Sequence, residues 1–176
     1  MISLSGRPLP DYLRPGLRVV FVGFNPGARS WRIGHHYGGL TNQFWRLLFD
    51  AGLTPVRLRA EEDYRAPEFG FGLTNIVARM TPSSGDLTAD DYARGAPILE
   101  AKLRACVPRI VCFNGKTIAE RLHGAPCRYG LQRWRFGGCR VFVAPSSSAA
   151  NAAVSYARKL RYFRQLASIV ASTPRP

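Results

Sequence analysis

Short apolar runs rich in β-branched residues punctuate the chain at Arg18-Val19-Val20-Phe21-Val22, Arg109-Ile110-Val111-Cys112-Phe113 and Arg140-Val141-Phe142-Val143-Ala144. After the leading arginine each run is unbroken by polar positions, the pattern of a strand buried on both faces of a parallel sheet. A further run, Gly72-Leu73-Thr74-Asn75-Ile76-Val77, predicts a short strand. Between these runs the apolar period lengthens to that of a helix. Phe44, Trp45, Leu47, Leu48 and Ala51 share one face, with Thr41 or Asn42 as cap and Gly52 as stop, and the spacing assigns Trp45 to the core. Thr88 caps a second helix through Leu99 and Leu103, with Asp90 and Asp91 in its first turn. Gly115 opens a third that His123-Gly124 closes. The last spans about Val154 to Val170, apolar at Tyr156, Leu160, Phe163, Leu166, Ile169 and Val170. Gly27 to Leu40 has no clean period and predicts a long loop; residues 54–70 form an acidic connection with a short helix near Ala60; the stretch around Trp134 is hairpin-like. Alternating strands and helices predict a three-layer α/β/α sandwich around a central, mainly parallel sheet of about four strands. The expected organisation is an irregular lead-in over residues 1–17, a single domain over 18–171 and a tail over 172–176.

Composition narrows the class. At 176 residues with 46% hydrophobic content, the chain suits one globular domain with a substantial core. No charged and apolar leader is visible, and no apolar run approaches the ~20 residues of a membrane span, so a soluble intracellular protein with no membrane partner is expected. The net charge of +14 is unevenly spread. Residues 1–49 carry +5, residues 50–100 carry −4, and residues 101–176 carry +13, with Glu120 the one acid of that last stretch. A basic C-terminal half is the footprint expected for binding a phosphate backbone. Cys106, Cys112, Cys127 and Cys139 form no Cys-x-x-Cys pair and have no histidines at zinc-like spacing. The expectation is therefore reduced thiols, no metal and no cofactor.

Candidate chemistry sits where strands end. Gly23-Phe24-Asn25-Pro26-Gly27 follows the first strand and Pro145-Ser146-Ser147-Ser148 follows the last, the ends at which open α/β sheets place ligands. The first segment lacks the third glycine of a dinucleotide fingerprint and the Gly-Lys-Ser/Thr of a P-loop; alone, it reads as a turn. Asp86, Asp90 and Asp91 could include a general base, although the last two suit a helix start. His35 and His36 are auxiliary acid–base groups or pocket wall. Asn114 and Lys116 either touch a phosphate or cap a helix, and Arg158, Lys159, Arg161 and Arg164 line DNA or form a solvated face.

Taken in order, Gly23–Gly27, Gly34-His35-His36-Tyr37, Asn42-Gln43-Phe44-Trp45, Gly72–Val77, Thr81-Pro82, Pro108–Lys116 and Pro145–Ala149 resemble the mismatch-specific uracil-DNA and thymine-DNA glycosylases, a branch of the uracil-DNA glycosylase superfamily. The resemblance covers residues 18 to 165. It implies a monofunctional glycosylase of base excision repair, hydrolysing the N-glycosidic bond of uracil, or of thymine or other deaminated bases, preferentially in mismatches. Asn25 would hold and polarise the hydrolytic water. The base pocket would comprise Gly23, Phe24, Ser30, Tyr37, Asn75 and Thr81, with the Tyr37 ring stacked on the flipped base. Pro145, Ser146, Ser147, Ser148, Ala149, Ala150 and Asn151, with Lys116, would contact the DNA backbone.

The residue chemistry agrees with that implication. An intrahelical base must be extruded before attack, an aromatic face recovers stacking, and an Asn amide both donates to and accepts from a uracil edge. The implied partner is double-stranded DNA with uracil or a mismatched pyrimidine, and also single-stranded DNA, bound by a monomer. The implied location is the cytoplasm at the nucleoid in a bacterium, or the nucleus in a eukaryote. The chain departs from its relatives at Ala150, where they carry an arginine that fills the gap left by the flipped nucleotide, and at Ser30, which looks like the uracil-preferring members. Two alternatives remain at this level: a non-catalytic module binding damaged or abasic DNA on the same fold, and an enzyme of free nucleosides, which would lack salt-dependent DNA affinity.

Overall fold

The computed structural model of the protein describes residues 7–172. Its elements are β1 (Val19–Gly23), α1 (Ala28–Ile33), α2 (Phe44–Asp50), a 3₁₀ segment (Ala60–Phe69), β2 (Phe71–Asn75), a 3₁₀ turn (Ser84–Asp86), α3 (Ala89–Cys106), β3 (Ile110–Asn114), α4 (Lys116–His123), β4 (Gly130–Phe136), β5 (Cys139–Ala144) and α5 (Tyr156–Ser172). The strands form one five-stranded sheet in the order β2-β1-β3-β5-β4. Four strands run parallel, so their carboxyl ends lie on one side, and β4 runs antiparallel at the edge beside β5. β4 is the hairpin-like stretch near Trp134. Its exposed Leu131, Arg133 and Arg135 alternate with the half-buried Gln132, Trp134 and Phe136, as an edge strand covered on one face requires.

Consecutive side chains of each central strand enter different cores. Val19, Phe21, Phe71, Ile110, Cys112 and Phe142 meet Phe44, Leu47 and Leu48 of α2 and Phe163 and Leu166 of α5. Val20, Val22, Val111, Phe113, Val141 and Val143 meet Leu99 and Leu103 of α3 and Ile118 of α4. Helices on both faces make the expected three layers. The four cysteines are buried and unpaired, and burial pushes the Cys112 thiol far above its ordinary value.

One expectation is corrected. The stretch Gly27–Leu40 is not loop throughout: α1 occupies Ala28–Ile33 and ends at Gly34 in the left-handed conformation. Six residues are too few to display a helical period, which is why the pattern looked irregular. The irregular lead-in also meets the sheet. Tyr12 forms a reciprocal antiparallel bridge with Leu73, its N–H donating over 3.0 Å and its carbonyl accepting over 3.1 Å, so the lead-in covers the outer edge of β2. Asp11 accepts from the Thr74 hydroxyl at 2.5 Å and pairs with Lys102 at 2.7 Å.

Candidate active site

A cleft of about 330 Å³ opens at the carboxyl ends of the parallel strands. It is lined by the Gly23–Ser30 segment, His36, Tyr37, Gly39, Thr41, Asn42, Asn75, Thr81–Ser84, Asn114 and Ser146–Ala150, with Leu9 from the lead-in. Asn25 and the residues placed in a base pocket by resemblance, Gly23, Phe24, Ser30, Tyr37, Asn75 and Thr81, all meet here.

Asn25 follows β1, and its amide is held by one end. Nδ2 donates to the Arg79 carbonyl at 3.1 Å and to Thr81 Oγ1 at 2.7 Å, with a longer contact of 3.4 Å to the Pro26 carbonyl. Thr81 Oγ1 in turn donates its hydrogen to the Ser83 carbonyl at 2.6 Å, so toward Asn25 it can only accept. Carbonyl oxygens cannot donate either, and this fixes which end of the amide is nitrogen. Oδ1 is left without a hydrogen bond among the described residues. The lining contains no Asp or Glu, and Arg29 is its one charged side chain. Thr81 is 3% exposed and acts here as a support for Asn25.

Close packing at the end of β1 depends on Gly23. A Cβ there would lie 2.6 Å from Asn75 Oδ1 and 3.4 Å from the Tyr37 hydroxyl. Asn75, at the end of β2, lines the cleft with no partner for its amide among the described residues. Tyr37 takes a positive φ of 54° and stacks on Phe44, with ring centroids 3.7 Å apart and planes at 20°. With one face on Phe44, the ring forms the cleft wall. Its hydroxyl is buried beside Asn114 without a bond of good geometry, and burial raises it well above the usual phenol range. The Phe24 ring packs on Gly115, whose φ of 148° and lack of a Cβ permit the approach; a Cβ would sit 2.3 Å from the ring.

The paired histidines lead to a group that the sequence did not single out. Asp63, fully buried, accepts from His35 Nδ1 at 3.0 Å and from the His36 backbone N–H at 2.8 Å. His36 Nε2 faces the Pro10 carbonyl at 2.8 Å and must carry its hydrogen there. Burial lowers the pKa of His36, so the ring is neutral at pH 7. Both histidines therefore hold the Tyr37 loop, while His36 alone also lines the cleft. Asp63 lay in an acidic run, and nothing in its spacing distinguished it from the solvated Glu61 and Glu62.

The loop after β5 is latched from several directions. Asn114 Nδ2 donates to Ser147 Oγ at 2.8 Å, and the Ser147 N–H donates back to Asn114 Oδ1 at 3.1 Å. Ser147 Oγ donates to Asn42 Oδ1 at 3.0 Å, and the Gln43 N–H donates to the Ser147 carbonyl at 3.0 Å. Lys159 Nζ reaches Gln43 Oε1 at 3.1 Å and the Ser148 carbonyl at 2.9 Å. Ser147 is 1% exposed, so its hydroxyl belongs to the protein interior and is not free for a phosphate. Asn114 caps no helix and faces Ser147. Ser146 and Ser148 line the cleft, and each accepts from a backbone N–H of its own loop. Asn151 lies just outside the lining and donates to the Ser146 carbonyl at 3.5 Å. Lys116 is elsewhere, paired with Glu120 at 3.6 Å and facing the Tyr129 ring. Lys159 does not share the solvated face of Arg158, Arg161 and Arg164, for it is 2% exposed. Its spacing gave the signal, since positions 156, 159, 163, 166 and 170 form one helical stripe.

The acidic candidates stay out of the cleft. Asp86 accepts from the Ser83 N–H at 2.9 Å, Asp90 pairs with Arg94, and Asp91 caps α3 through Thr88. The side-chain bond from Arg79, supported by Thr88, holds the Asp91 carboxyl well below the usual range. These are structural carboxylates at helix starts.

The Uracil DNA glycosylase superfamily profile matches residues 10–168. Among solved structures, the chain is similar to the solution NMR structure of a putative uracil DNA glycosylase from Methanosarcina acetivorans. The TM-score is 0.58 at 22% identity, over 92% of this chain and 98% of that one. That likeness carries the fold; the profile match, spanning nearly the whole chain, carries the family. The chain belongs to the uracil DNA glycosylase superfamily.

Proposed function

We propose that the protein hydrolyses the N-glycosidic bond of uracil in DNA, most readily where uracil is mispaired, and leaves an abasic site. The observation that carries this reading is the Asn25 amide. Its nitrogen is fixed by acceptors, and its oxygen is open in a cleft whose lining has no carboxylate. An amide is no base at neutral pH, so its contribution is position and charge. Oδ1 accepts a hydrogen bond from the attacking water and faces the positive charge that develops on the sugar. The C1′–N1 bond breaks with its electron pair passing to the uracil ring. The water oxygen bonds to C1′, and its proton goes to solvent.

The remaining lining residues suit the flipped nucleoside. The Tyr37 wall offers a stacking surface, and the unpaired amide of Asn75 offers a donor and an acceptor to a uracil edge. A mispaired base is cheaper to extrude, which favours mismatched substrates. The partner is duplex DNA, with single-stranded DNA as a further substrate, in the nucleoid of a bacterium or the nucleus of a eukaryote.

The test is incubation of the protein with duplexes carrying uracil opposite guanine or adenine, and with the single strand, followed by alkaline cleavage of abasic sites. Release of uracil, fastest from the guanine mispair, is expected. No release from any of the three at stoichiometric protein overturns the proposal. Tight binding without release would assign a binding module instead. Thymine, hypoxanthine and xanthine in the same assay define the base range.

A further inference from the structure

We infer that Leu40 is the side chain that enters the DNA stack where the base leaves it. The inference rests on the base-flipping reading above, and its test separates the two. Extruding a nucleotide opens a gap between neighbouring base pairs, and proteins that distort duplexes stabilise such gaps with an apolar wedge. The rim residues 146–150 at the Ser147 latch offer only hydroxyls and the methyls of Ala149 and Ala150. The adjoining rim segment differs. Gly39, Thr41 and Asn42 line the cleft, and the Leu40 side chain between them is 84% exposed.

A lone exposed leucine is ordinary on a protein surface. This one stands on a turn that the structure holds rigid against the neighbouring loop. The Asn42 N–H closes the turn onto the Gly39 carbonyl at 3.0 Å, with Leu40 near its tip. Asn42 Oδ1 accepts from Ser147 Oγ and from the Phe44 N–H at 3.0 Å each, and the Gln43 N–H donates to the Ser147 carbonyl. Leu40 thus lies between two residues of the cleft lining, on a segment tied to the Ser146–Ala150 loop. A leucine inserted into the stack exchanges an almost fully hydrated side chain for contact with base faces.

Two readouts test the inference. The first is the ratio of uracil release from duplex to release from the single strand. Leu40→Ala is expected to lower it about tenfold or more, and Leu40→Met to restore most of it. Ile98→Ala, which removes an exposed apolar side chain of α3 outside the cleft, should leave the ratio unchanged. The second readout needs no catalysis: binding to a duplex with a tetrahydrofuran gap, compared with the intact duplex. The wild type should prefer the gap, and Leu40→Ala should lose that preference. Uracil release with both readouts unchanged in Leu40→Ala overturns the wedge and leaves the glycosylase reading standing. Gap preference that depends on Leu40 without any uracil release overturns the glycosylase reading and leaves the wedge. A wild type with no preference for the gap also overturns the wedge.

Discussion

An amide differs from a carboxylate in that its two ends are not interchangeable, and at position 25 the surroundings select one of them. The Arg79 carbonyl and a Thr81 hydroxyl already committed to Ser83 accept only from the nitrogen, which leaves the oxygen facing the cleft. Asn25→Ala is expected to slow uracil release by about a hundredfold to a thousandfold while duplex binding persists, the scale of removing one fixed group from a reacting charge. Thr81→Val keeps the volume and removes the acceptor, so the amide can turn; about a tenfold slowing is expected from lost orientation. Single-turnover rates measured beside binding constants check both. Asn25 was legible because a motif marked it. Its link to Thr81 was not, since the two are 56 positions apart and a loop has no period to reveal which hydroxyl points where.

The latch between the β5 loop and α2 is the part of the site that depends on whole elements. Asn114 ends β3, Asn42 and Gln43 precede α2, Lys159 belongs to α5, and all converge on Ser147 and Ser148. Ser147→Ala takes a partner from the buried Asn114 amide and one from the half-buried Asn42 amide, so a loss of about 1–3 kcal/mol in denaturant unfolding is expected. Weaker duplex binding should accompany it if the loop meets DNA as proposed, because it is no longer fixed. Parallel strands, both helical faces and the capping of α3 by Thr88 could be read from apolar period and cap residues. Ser147 could not, for three successive serines carry the same chemistry and only the fold separates the inward one from its neighbours. Lys159 shows the opposite case: it was read with its charged neighbours as lining DNA or facing solvent, yet its place in the apolar stripe of α5 buries it.

At the scale of the molecule, the imbalance of charge and the burial of one histidine make different demands on solution conditions. The C-terminal stretch of +13 predicts duplex affinity that falls as salt rises. His36 acts on stability instead. Its folded pKa lies below the ordinary value of 6.5, chiefly through burial, so as pH falls below about 6.5 the unfolded chain takes up a proton before the folded one. Stability contributed by the neutral ring is complete above that value and is lost progressively toward the folded pKa. The fall in Tm between pH 7.5 and pH 5 is therefore expected to be smaller in His36→Gln than in the wild type, and thermal unfolding across that range checks it. The order of strands and helices was enough to foresee the layers. It gave no hint that Leu9 lines the cleft, that the Pro10 carbonyl accepts a hydrogen bond from His36, or that Tyr12 bridges to one edge of the sheet, because proline-broken segments carry no periodic signal. Anyone excising this module to graft or shorten it should place the cut before Leu9: a fragment trimmed to its first regular strand would keep the scaffold and forfeit a wall of its own workplace.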